Sequence, residues 1–319
     1  MGVTQKLCKV AVVGAGSMAR EHLKAFKGLP GVELVGITSR TRARATALAA
    51  EFDLPTVCDS IGELHAATKA DLVVVTVTEL AMHAVCEECF CFSWAVLMEK
   101  PAGYDWDDAV ALEGAARRSG TRAWVGLNRR CLSSTRAVLR DLELNPSPRF
   151  IHVQDQQNQA AARLAGQPEA VVRNWMYANS IHLVDFLRVF ARGEIGAVTR
   201  VIPWNPERPG VVLVKLEFED GDVGLYEGVW HGPGPWAVSV TLPQRRWELR
   251  PLERARFQRA GERLSHEVEV DAIDIDFKPG FRLQAELAVA AVRGETCLLP
   301  TLSDALATMR LIKLIFDPA

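Results

Sequence analysis

The sequence predicts an α/β protein in which a doubly wound parallel sheet is followed by a second α/β domain with an open, mostly antiparallel sheet. Three observations predict this architecture. Short apolar runs alternate with helical patterns in the first part of the chain, as in successive βαβ units. A glycine-rich turn follows the first apolar run. Later strands alternate apolar and polar positions, which is typical of an antiparallel sheet with one less buried face. We place the domains at residues 1–127 and 128–319.

The predicted strands of the first domain are near-continuous apolar runs, which fits burial on both faces of a parallel sheet. They are Lys9–Val13, Val32–Thr38, Asp71–Val77, Ala95–Met98 and Arg122–Leu127. Helical segments lie between them, and one of these, Arg42–Phe52, is rich in alanine.

The turn after the first strand has the form G-x-G-x-x-A and leads into a helical pattern. Gly14 permits a tight turn, Gly16 lets the backbone approach a pyrophosphate, and Ala19 allows the helix to pack closely on the strand. The start of the helix offers free N–H groups and the positive end of its dipole to phosphates. The pattern therefore predicts a dinucleotide site in a Rossmann domain.

The end of the second strand distinguishes between cofactors. A site for NAD(H) usually has an Asp or Glu there to accept a hydrogen bond from the ribose 2′-hydroxyl. This chain has Thr38-Ser39-Arg40-Thr41-Arg42 instead, without a carboxylate. Ser39 and Arg40 are able to donate hydrogen bonds to a 2′-phosphate. We expect NADP(H) to be preferred, with NAD(H) as the alternative, unless these arginines only form a solvated start of a helix.

The second half contains the predicted antiparallel strands. A tight hairpin is predicted at Glu219-Asp220-Gly221-Asp222. The predicted strands are Arg149–Gln157, Val212–Phe218, Val223–Trp230, Val238–Leu242, Trp247–Leu249 and Val268–Val270. Predicted helices are Ser133–Leu142, Asn179–Phe190, Phe281–Arg293 and Ser303–Ile315.

Composition and charge exclude several classes of protein. The formal net charge is −2, whereas nucleic-acid-binding proteins usually carry a basic excess. No apolar stretch reaches the roughly 20 residues that a membrane-spanning helix needs. The start of the chain lacks an apolar signal segment. We therefore expect a cytoplasmic protein without nucleic-acid or membrane partners.

Three of the seven cysteines, Cys86, Cys89 and Cys91, form a C-x-x-C-x-C motif. Such a motif raises the question of a metal or redox site. No second cysteine pair or histidine cluster follows at zinc-like spacing, and structural zinc takes four ligands. We expect these cysteines to lie on a helix that covers the sheet, with no metal. Their role stays open.

Four further motifs carry a resemblance to a known family. Glu99-Lys100-Pro101 ends a buried strand, and Asn128-Arg129-Arg130 follows the next one. The second half contributes Ser180-Ile181-His182-Leu183-Val184-Asp185 and the hairpin pair Asp220-Gly221. Together with the glycine turn, these motifs resemble the Gfo/Idh/MocA oxidoreductase family over almost the whole chain.

The resemblance implies a dinucleotide-binding Rossmann domain followed by a substrate-binding and oligomerisation domain. It implies oxidation or reduction of a sugar-like hydroxyl or ketone. It also implies a homodimer or homotetramer that associates through the exposed face of the C-terminal sheet.

The resemblance implies that Lys100 lies at the nicotinamide of the bound cofactor. Ligands of open α/β sheets bind beyond the carboxyl ends of the strands, where Lys100 lies. Pro101 removes a backbone donor and stops the strand. An ammonium group there is expected to stabilise developing alkoxide charge on the reacting oxygen. The alternative is a surface lysine at the end of a strand.

The predicted helix Asn179–Phe190 carries the second candidate group. Asn179 or Ser180 is expected to cap its start. His182 and Asp185 are three residues apart and share a helix face. The family implies that His182 faces the substrate as a general acid/base, a task that suits an imidazole near neutral pH. Asp185 either orients this region or serves the fold.

The chain departs from the family pattern at one position. Many members have an Asp four residues before the histidine, where this chain has Ala178. The proton relay of Lys, Asp and His is therefore incomplete. Tyr177 is a secondary candidate proton donor. Ala178 leaves room for a ketoreductase, or for a non-catalytic NAD(P)-binding regulator of the same architecture. A methyltransferase is a weaker alternative, because it does not explain Glu99-Lys100-Pro101.

The sequence thus predicts an NADP(H)-dependent oxidoreductase that moves a hydride to or from a carbon of a sugar or nucleotide-sugar. The expected catalytic residues are Lys100, His182, Asp185 and Tyr177. The expected cofactor-binding residues are Gly14, Ala15, Gly16, Ser17, Met18, Ser39, Arg40, Thr76, Glu99, Lys100 and Asn128. The expected substrate-binding residues are Lys100, Arg129, Arg130, Arg173, Trp175 and His182.

Overall fold

The structure, a computed structural model, describes residues 7–296 and 298–317. The chain divides into two compact units. The first comprises Met1–Asn128 and Asp276–Leu306, and the second comprises Arg129–Ile275 and Ala307–Ala319. The segment Asp276–Leu306 therefore returns to the first unit, whereas the sequence analysis placed all residues after 127 in the second domain.

The strands of the first unit form one parallel sheet in the order β3-β2-β1-β4-β5-β6. They are β1 (Cys8–Val13), β2 (Val32–Thr38), β3 (Val57–Cys58), β4 (Leu72–Val75), β5 (Ala95–Met98) and β6 (Ala123–Val125). The direction in which the strands are added reverses between β1 and β4. Ligands of doubly wound sheets bind beside such a switch point, at the carboxyl ends of the strands. The sheet is the predicted one, with the short strand β3 added.

The helices of the first unit connect these strands. They are α1 (Ser17–Phe26), α2 (Arg42–Phe52), α3 (Ile61–Thr68), α4 (Glu79–Cys89) and α5 (Trp106–Ser119). Side-chain caps fix two of the starts: Ser60 accepts a hydrogen bond from the backbone N–H of Glu63, and Asp105 accepts one from that of Asp108.

A later helix of the first unit packs against α1 and explains why the chain returns there. The ring centroids of Phe281 and His22 lie 4.8 Å apart. Arg282 donates hydrogen bonds to the carbonyl oxygens of Ala25 and Lys27, at 2.8 and 2.9 Å. Phe281 is part of the same buried apolar cluster as β1 and α1. Burial of this apolar surface stabilises the unit.

The sheet of the second unit is mostly antiparallel, with the order β14-β13-β12-β11-β7-β10-β9-β8. β7 and β10 pair in parallel, and the other neighbours pair antiparallel. The strands are β7 (Phe150–Gln157), β8 (Ile195–Ile202), β9 (Val211–Phe218), β10 (Val223–Trp230), β11 (Trp236–Thr241), β12 (Arg245–Leu249), β13 (Ala255–Arg259) and β14 (His266–Glu267). This sheet confirms the predicted architecture of the second half.

The remaining helices complete the chain. They are α6 (Ser133–Leu144), α7 (Gln159–Leu164), α8 (Glu169–Arg173), α9 (Ile181–Phe190), α10 (Ala272–Asp276), α11 (Phe281–Val292) and α12 (Leu302–Phe316). A 3₁₀ turn covers Asn128–Cys131, and a π-helical turn covers Met176–Ser180. In the part of the chain that the structure describes, no helix has the length and apolar character needed to cross a membrane.

Two local predictions of the second half are wrong. Val268–Val270 is not a strand: the Cα pairing of β14 with β13 ends at Glu267, and of these three residues Val268 adds a backbone hydrogen bond to Ala255. Neither Asn179 nor Ser180 caps the helix that carries His182. The backbone of Ser180 is already helical and its side chain makes no capping bond, because the π turn runs directly into α9. The side chain of Asn179 bonds to Gln157 instead.

Candidate active site

The glycine turn after β1 is built around a close approach to β4. Gly14 has a φ of 108°, a backbone conformation that side chains with a Cβ rarely adopt. A Cβ on Gly14 would lie 2.6 Å from both the carbonyl oxygen and the hydroxyl of Thr76. Thr76 in turn donates its backbone N–H to the carbonyl of Val13 at 2.8 Å. The first glycine therefore lets β1 and β4 meet at the switch point.

Gly16 serves a different purpose, because a Cβ there would meet no atom within 4 Å. It is the residue before α1, and the first turn of α1 contains no acidic side chain. The positive end of the α1 dipole is thus not neutralised by its own helix. Ala19 is fully buried, as expected for close packing of α1 on the sheet. An open backbone at an uncompensated helix start fits the pyrophosphate of a dinucleotide.

A cavity of about 430 Å³ lies beside this turn, within the size range of small-molecule sites. It brings together six of the predicted cofactor residues: Gly14, Ala15, Gly16, Ser39, Arg40 and Thr76. Ser17 and Met18 follow as the first residues of α1. Residues from the ends of β1, β2 and β4 thus line one cavity.

The end of β2 gives the cavity a basic side. Arg40 and Arg44 line it, and neither forms an ion pair with another residue in the described ranges. Arg42 is instead paired with Asp59. The first turn of α2 has basic residues and no acidic one, which is unfavourable at the positive end of a helix dipole. A bound anion would relieve this repulsion.

Arg44, Asp59 and Ser60 are among the cavity residues that the sequence did not predict. Arg44 lies in the first turn of α2, whereas Arg40 precedes that helix, so no helical spacing links the two residues. Asp59 and Ser60 reach the cavity from the loop between β3 and α3. They were missed because the two-residue strand β3 has no detectable pattern.

Glu99 and Lys100 lie at the carboxyl end of β5, as predicted. Glu99 is buried, and one of its carboxylate oxygens lies 2.8 Å from Nε2 of the buried His22 on α1. The other oxygen accepts the backbone N–H of Lys100 at 3.3 Å. Lys100 itself is half-buried, and its peptide bond to Pro101 is cis. Glu99 therefore fastens the end of β5 to α1 immediately before Lys100.

Asn128 has a structural contact in the first unit. Its side-chain amide donates to the carbonyl oxygen of Pro279 at 3.0 Å. Cofactor contact by Asn128 therefore stays a prediction. The bond instead shows how the chain after β6 is joined to the segment before α11.

In the second unit, the side chains of His182 and Arg129 both lie beside Trp236. The ring centroids of His182 and Trp236 are 6.4 Å apart. The guanidinium of Arg129 lies 5.2 Å from the centroid of the same indole, in cation–π contact. Arg129 also pairs with Glu253 at 2.9 Å. The structure thus brings two residues predicted to touch substrate to the same indole ring, that of Trp236.

The buried Asp185 forms an ion pair with the half-buried Arg130. Nε and Nη2 of Arg130 donate to the two oxygens of Asp185 at 2.7 and 2.6 Å. Thr308 donates its hydroxyl to Asp185 at 2.7 Å. Asp185 is 3% exposed, so its carboxylate is occupied within the fold. These contacts favour a structural role for Asp185. They also engage two guanidinium nitrogen atoms of Arg130 in the ion pair with Asp185.

The other predicted residues of this region lie in different surroundings. Tyr177 and Ala178 are buried within the π turn. Trp175 is half-buried and donates its indole N–H to Gln157 at 2.9 Å. Arg173 has 77% of its side chain exposed and lies 3.5 Å from Glu169. The geometry therefore gives Arg173 no particular link to His182.

The cysteine motif lies on α4 and just beyond it. Cys86 and Cys89 are buried, whereas Cys91 is exposed. Burial raises the pKa of the Cys86 thiol well above its ordinary value and raises that of Cys89 to about 12. Metal ligation needs thiolates, so this environment opposes it. Among the described residues, no cluster of metal-ligating side chains is found.

Comparison with known proteins connects this geometry to a family. Residues 8–127 match the Gfo/Idh/MocA model, described as an oxidoreductase family with an NAD-binding Rossmann fold. Over these residues, this chain has the NAD-binding Rossmann domain of the Gfo/Idh/MocA oxidoreductases. The matched region contains the six-stranded sheet, the glycine turn and Lys100.

Two curated relatives of this chain are dehydrogenases. The 4-carboxy-2-hydroxymuconate-6-semialdehyde dehydrogenase of a Sphingobium species is 24% identical over 307 residues, covering 89% of this chain and 90% of the relative. Inositol 2-dehydrogenase 1 of Paenarthrobacter aurescens is 27% identical over 237 residues, covering 69% and 67%. The first of these matches extends over both units.

A solved structure has the same fold throughout. The UDP-N-acetylglucosamine 3-dehydrogenase of Acidithiobacillus ferrooxidans superposes with a TM-score of 0.76 at 17% identity, covering 96% of each chain. At this identity the likeness shows the shared architecture. It extends over the parallel sheet and the antiparallel one.

Proposed function

We propose that this oxidoreductase is NADP(H)-dependent and transfers a hydride to or from a carbinol or carbonyl carbon of a sugar or nucleotide-sugar. The observation that carries the cofactor assignment is the basic side of the cavity. Arg40 and Arg44 line it without an acidic partner among the described residues, beside the start of α2. A 2′-phosphate would supply the anion that these charges lack. NAD(H) is the alternative cofactor.

The substrate class is supported by the relatives. The names of two similar proteins specify inositol and a UDP-linked sugar as substrates. The relative that covers most of this chain acts on a carboxylated semialdehyde. Carboxylated aldehydes therefore belong in any substrate panel beside sugars.

Lys100 and His182 are the side chains to which we assign the chemistry. A nicotinamide cofactor held in the cavity beside Gly14 and Gly16 would supply the hydride acceptor for oxidation and the hydride donor for reduction. In oxidation, the substrate hydroxyl must also lose its proton, and His182 is the proposed base that takes it. The ammonium of Lys100 is proposed to hydrogen-bond the same oxygen and stabilise its negative charge. In reduction, the proton moves from His182 to the oxygen.

Ala178 gives the regulator alternative a specific basis. The position where many family members have an Asp is a buried methyl group here. Without that carboxylate, turnover must depend on Lys100 and His182 alone. A protein that binds NADPH but shows no turnover with any substrate class would be a non-catalytic sensor.

We further propose that the protein is cytoplasmic and associates as a homodimer or homotetramer through the C-terminal sheet. Buried thiols such as Cys86 and Cys89 fit a reducing compartment. Light scattering after size-exclusion chromatography measures the oligomer mass. A monomer at all accessible concentrations would contradict the assembly proposal.

The test of the proposed function combines a substrate panel with a cofactor swap. Sugars, nucleotide-sugars, inositols and carboxylated aldehydes are assayed with NADP⁺ and NAD⁺ by absorbance at the reduced nicotinamide band. We expect turnover with NADP⁺, and the Arg40→Asp variant should prefer NAD⁺ instead. Turnover confined to NAD⁺ in the unaltered protein would overturn the cofactor assignment, and cofactor binding without any turnover would overturn the enzymatic one.

A further inference from the structure

A chain of buried hydrogen bonds underlies the turn before His182. We propose that Gln157, oriented by Asp155 and Tyr226, is a positioning residue that holds the Trp175–Asn179 segment and thereby sets the place of His182. The proposal rests on the proposed acid/base function of His182. None of the three residues was singled out by the sequence.

The centre of this chain is the side-chain amide of Gln157, which is 1% exposed. Its oxygen accepts two hydrogen bonds, from the indole N–H of Trp175 at 2.9 Å and from the amide of Asn179 at 2.8 Å. Trp175 immediately precedes the π turn at Met176–Ser180, and Asn179 is the fourth of the five residues in that turn. One acceptor on β7 thus holds the residue before the turn and a residue near its end.

Asp155 determines which way the amide of Gln157 points. A carboxylate offers only acceptors, so it must face the NH₂ group of an amide. The NH₂ group of Gln157 donates to Asp155 at 2.5 Å. The hydroxyl of Tyr226 donates to the other Asp155 oxygen at 2.7 Å. The oxygen of Gln157 is therefore left for Trp175 and Asn179.

The surroundings of Asp155 give this arrangement little freedom. Asp155 is 1% exposed and Tyr226 is fully buried. Burial raises the pKa of Asp155, while interactions with Ser180, Tyr226 and Gln157 act in the opposite direction. Inside a low-dielectric core, a polar network must be fully satisfied to be stable, and it then specifies one geometry.

The π turn passes this geometry to His182. A π turn adds a residue to a helical turn and often occurs at functional sites. It runs directly into α9, and His182 is the second residue of α9. If Trp175 or Asn179 lost its hydrogen bond to Gln157, the π turn could change its conformation. The start of α9, which follows the turn directly, would then move together with the imidazole of His182.

The first experiment replaces Gln157 by Met, which keeps the length of the side chain and removes its hydrogen bonds. The matched control is Gln159→Met. Gln159 is also buried and uses its amide in one bond, to the carbonyl of Val172 at 2.7 Å. Displacement of a catalytic group by about 1 Å costs up to about 100-fold in rate. We therefore expect Gln157→Met to lower kcat about 10- to 100-fold without changing NADPH affinity, and Gln159→Met to change kcat less than about 3-fold.

A second variant separates positioning from stability. Gln157→Glu keeps the acceptor for Trp175 and Asn179 but places a second carboxylate against Asp155. Two such groups share one proton and cannot both ionise cheaply. Activity should be close to that of the unaltered protein at low pH and should fall as pH rises and the shared proton is lost. A pH profile identical in shape to that of the unaltered protein would overturn the proposal.

A readout independent of turnover completes the test. Amide hydrogen exchange should accelerate across residues 175–182 in Gln157→Met and not in Gln159→Met, because local opening exposes these N–H groups. If His182→Ala retains full turnover, the proposed function fails whatever the exchange data show. If His182→Ala loses turnover while Gln157→Met keeps both its kcat and its exchange pattern, the positioning proposal alone is overturned.

Discussion

The two units build their candidate sites in different ways. In the first unit, the cavity lies at a glycine turn, the ends of parallel strands and the starts of helices α1 and α2, and the side chains that line it, such as those of Arg40 and Arg44, lie on or beside these elements. In the second unit, the surroundings of His182 depend on side chains that bond to each other across long sequence distances, as Asp185 does with Thr308. Backbone sites follow from local sequence pattern, whereas side-chain networks follow from the tertiary fold. The comparison predicts which substitutions damage binding, chemistry or folding.

Loss of the proposed electrostatic group at the end of β5 has the largest expected effect. Lys100→Ala should lower kcat about 10²- to 10⁴-fold, the range found for acid/base and charge-stabilising groups. NADPH affinity, measured by fluorescence titration, should change far less, because the pyrophosphate and ribose contacts are elsewhere in the cavity. Unchanged kcat would remove Lys100 from the chemistry and would leave the first unit with a binding role only.

A buried carboxylate of the second unit should be the next most sensitive position. Asp222 has a fully buried side chain and accepts the backbone N–H groups of Arg149 and Arg192 and the guanidinium of Arg192 at 2.6 Å. Asp222→Ala should lower the free energy of unfolding by about 3 kcal/mol. Asp220→Ala, in the exposed part of the same hairpin, should change it by less than about 0.5 kcal/mol. Chemical denaturation measures both, and equal effects would contradict the network account.

The stabilisation that Asp222 provides should depend on pH. Burial alone would raise the pKa of Asp222, but the hydrogen bonds from Arg192 and Arg149 outweigh it, and the pKa is lowered. The folded state therefore favours the carboxylate more than the unfolded state does. The stabilisation by Asp222 is complete above the pKa of the unfolded chain and is lost as pH falls through the folded pKa. The difference between the unaltered protein and Asp222→Ala should shrink in acid.

The two glycines of the first unit separate folding from binding. Gly14→Ala should lower the free energy of unfolding by about 2 to 3 kcal/mol, because its φ is positive and the new Cβ would collide with Thr76. Gly16→Ala should cost about 1 kcal/mol or less, since a Cβ there meets no protein atom. Its cost should appear in NADPH affinity, about 10-fold weaker. Thermal unfolding measures the stability of both variants, and fluorescence titration measures their NADPH affinity. A larger loss of stability in Gly16→Ala than in Gly14→Ala would contradict the roles assigned to the two glycines.

Replacement of Arg44 has the smallest expected effect, and it tests whether the cavity prefers NADPH to NADH. Arg44→Ala should weaken NADPH binding about 10-fold, close to the contribution of one charge-assisted hydrogen bond, and should leave NADH binding within about 2-fold. Arg117→Ala is a matched control, because Arg117 lies in the last turn of α5 and outside the cavity. An equal loss for both cofactors would show that Arg44 contacts the shared part of the dinucleotide.

What could be predicted from sequence follows the same division. Val32–Thr38, Arg42–Phe52 and Val223–Trp230 have the bounds that local periodicity predicted. The glycine turn was also predicted, because backbone chemistry leaves a local signature, and six of the residues predicted to bind the cofactor line the cavity beside it. The strands β3, β8 and β13 were missed. β3 has only two residues, and β8 has an exposed, irregular pattern.

The second unit shows why the rest was not predictable. Asp185 and His182 are three residues apart, so sequence pattern paired them, but the partners of Asp185 are Arg130 and Thr308. Gln157 gave no signal because its donors lie 18 and 22 residues away, on a turn whose π geometry no local pattern indicates. Such contacts exist only once the sheet and α9 have packed.

The most direct test of the central claim is the ratio of NADPH to NADH affinity in the unaltered protein, measured by fluorescence titration at one ionic strength. Two arginines facing a 2′-phosphate predict that NADPH binds at least about 10-fold more tightly. The advantage should shrink as salt is added, because charge contacts are screened. Equal affinities, or tighter binding of NADH, would contradict the account.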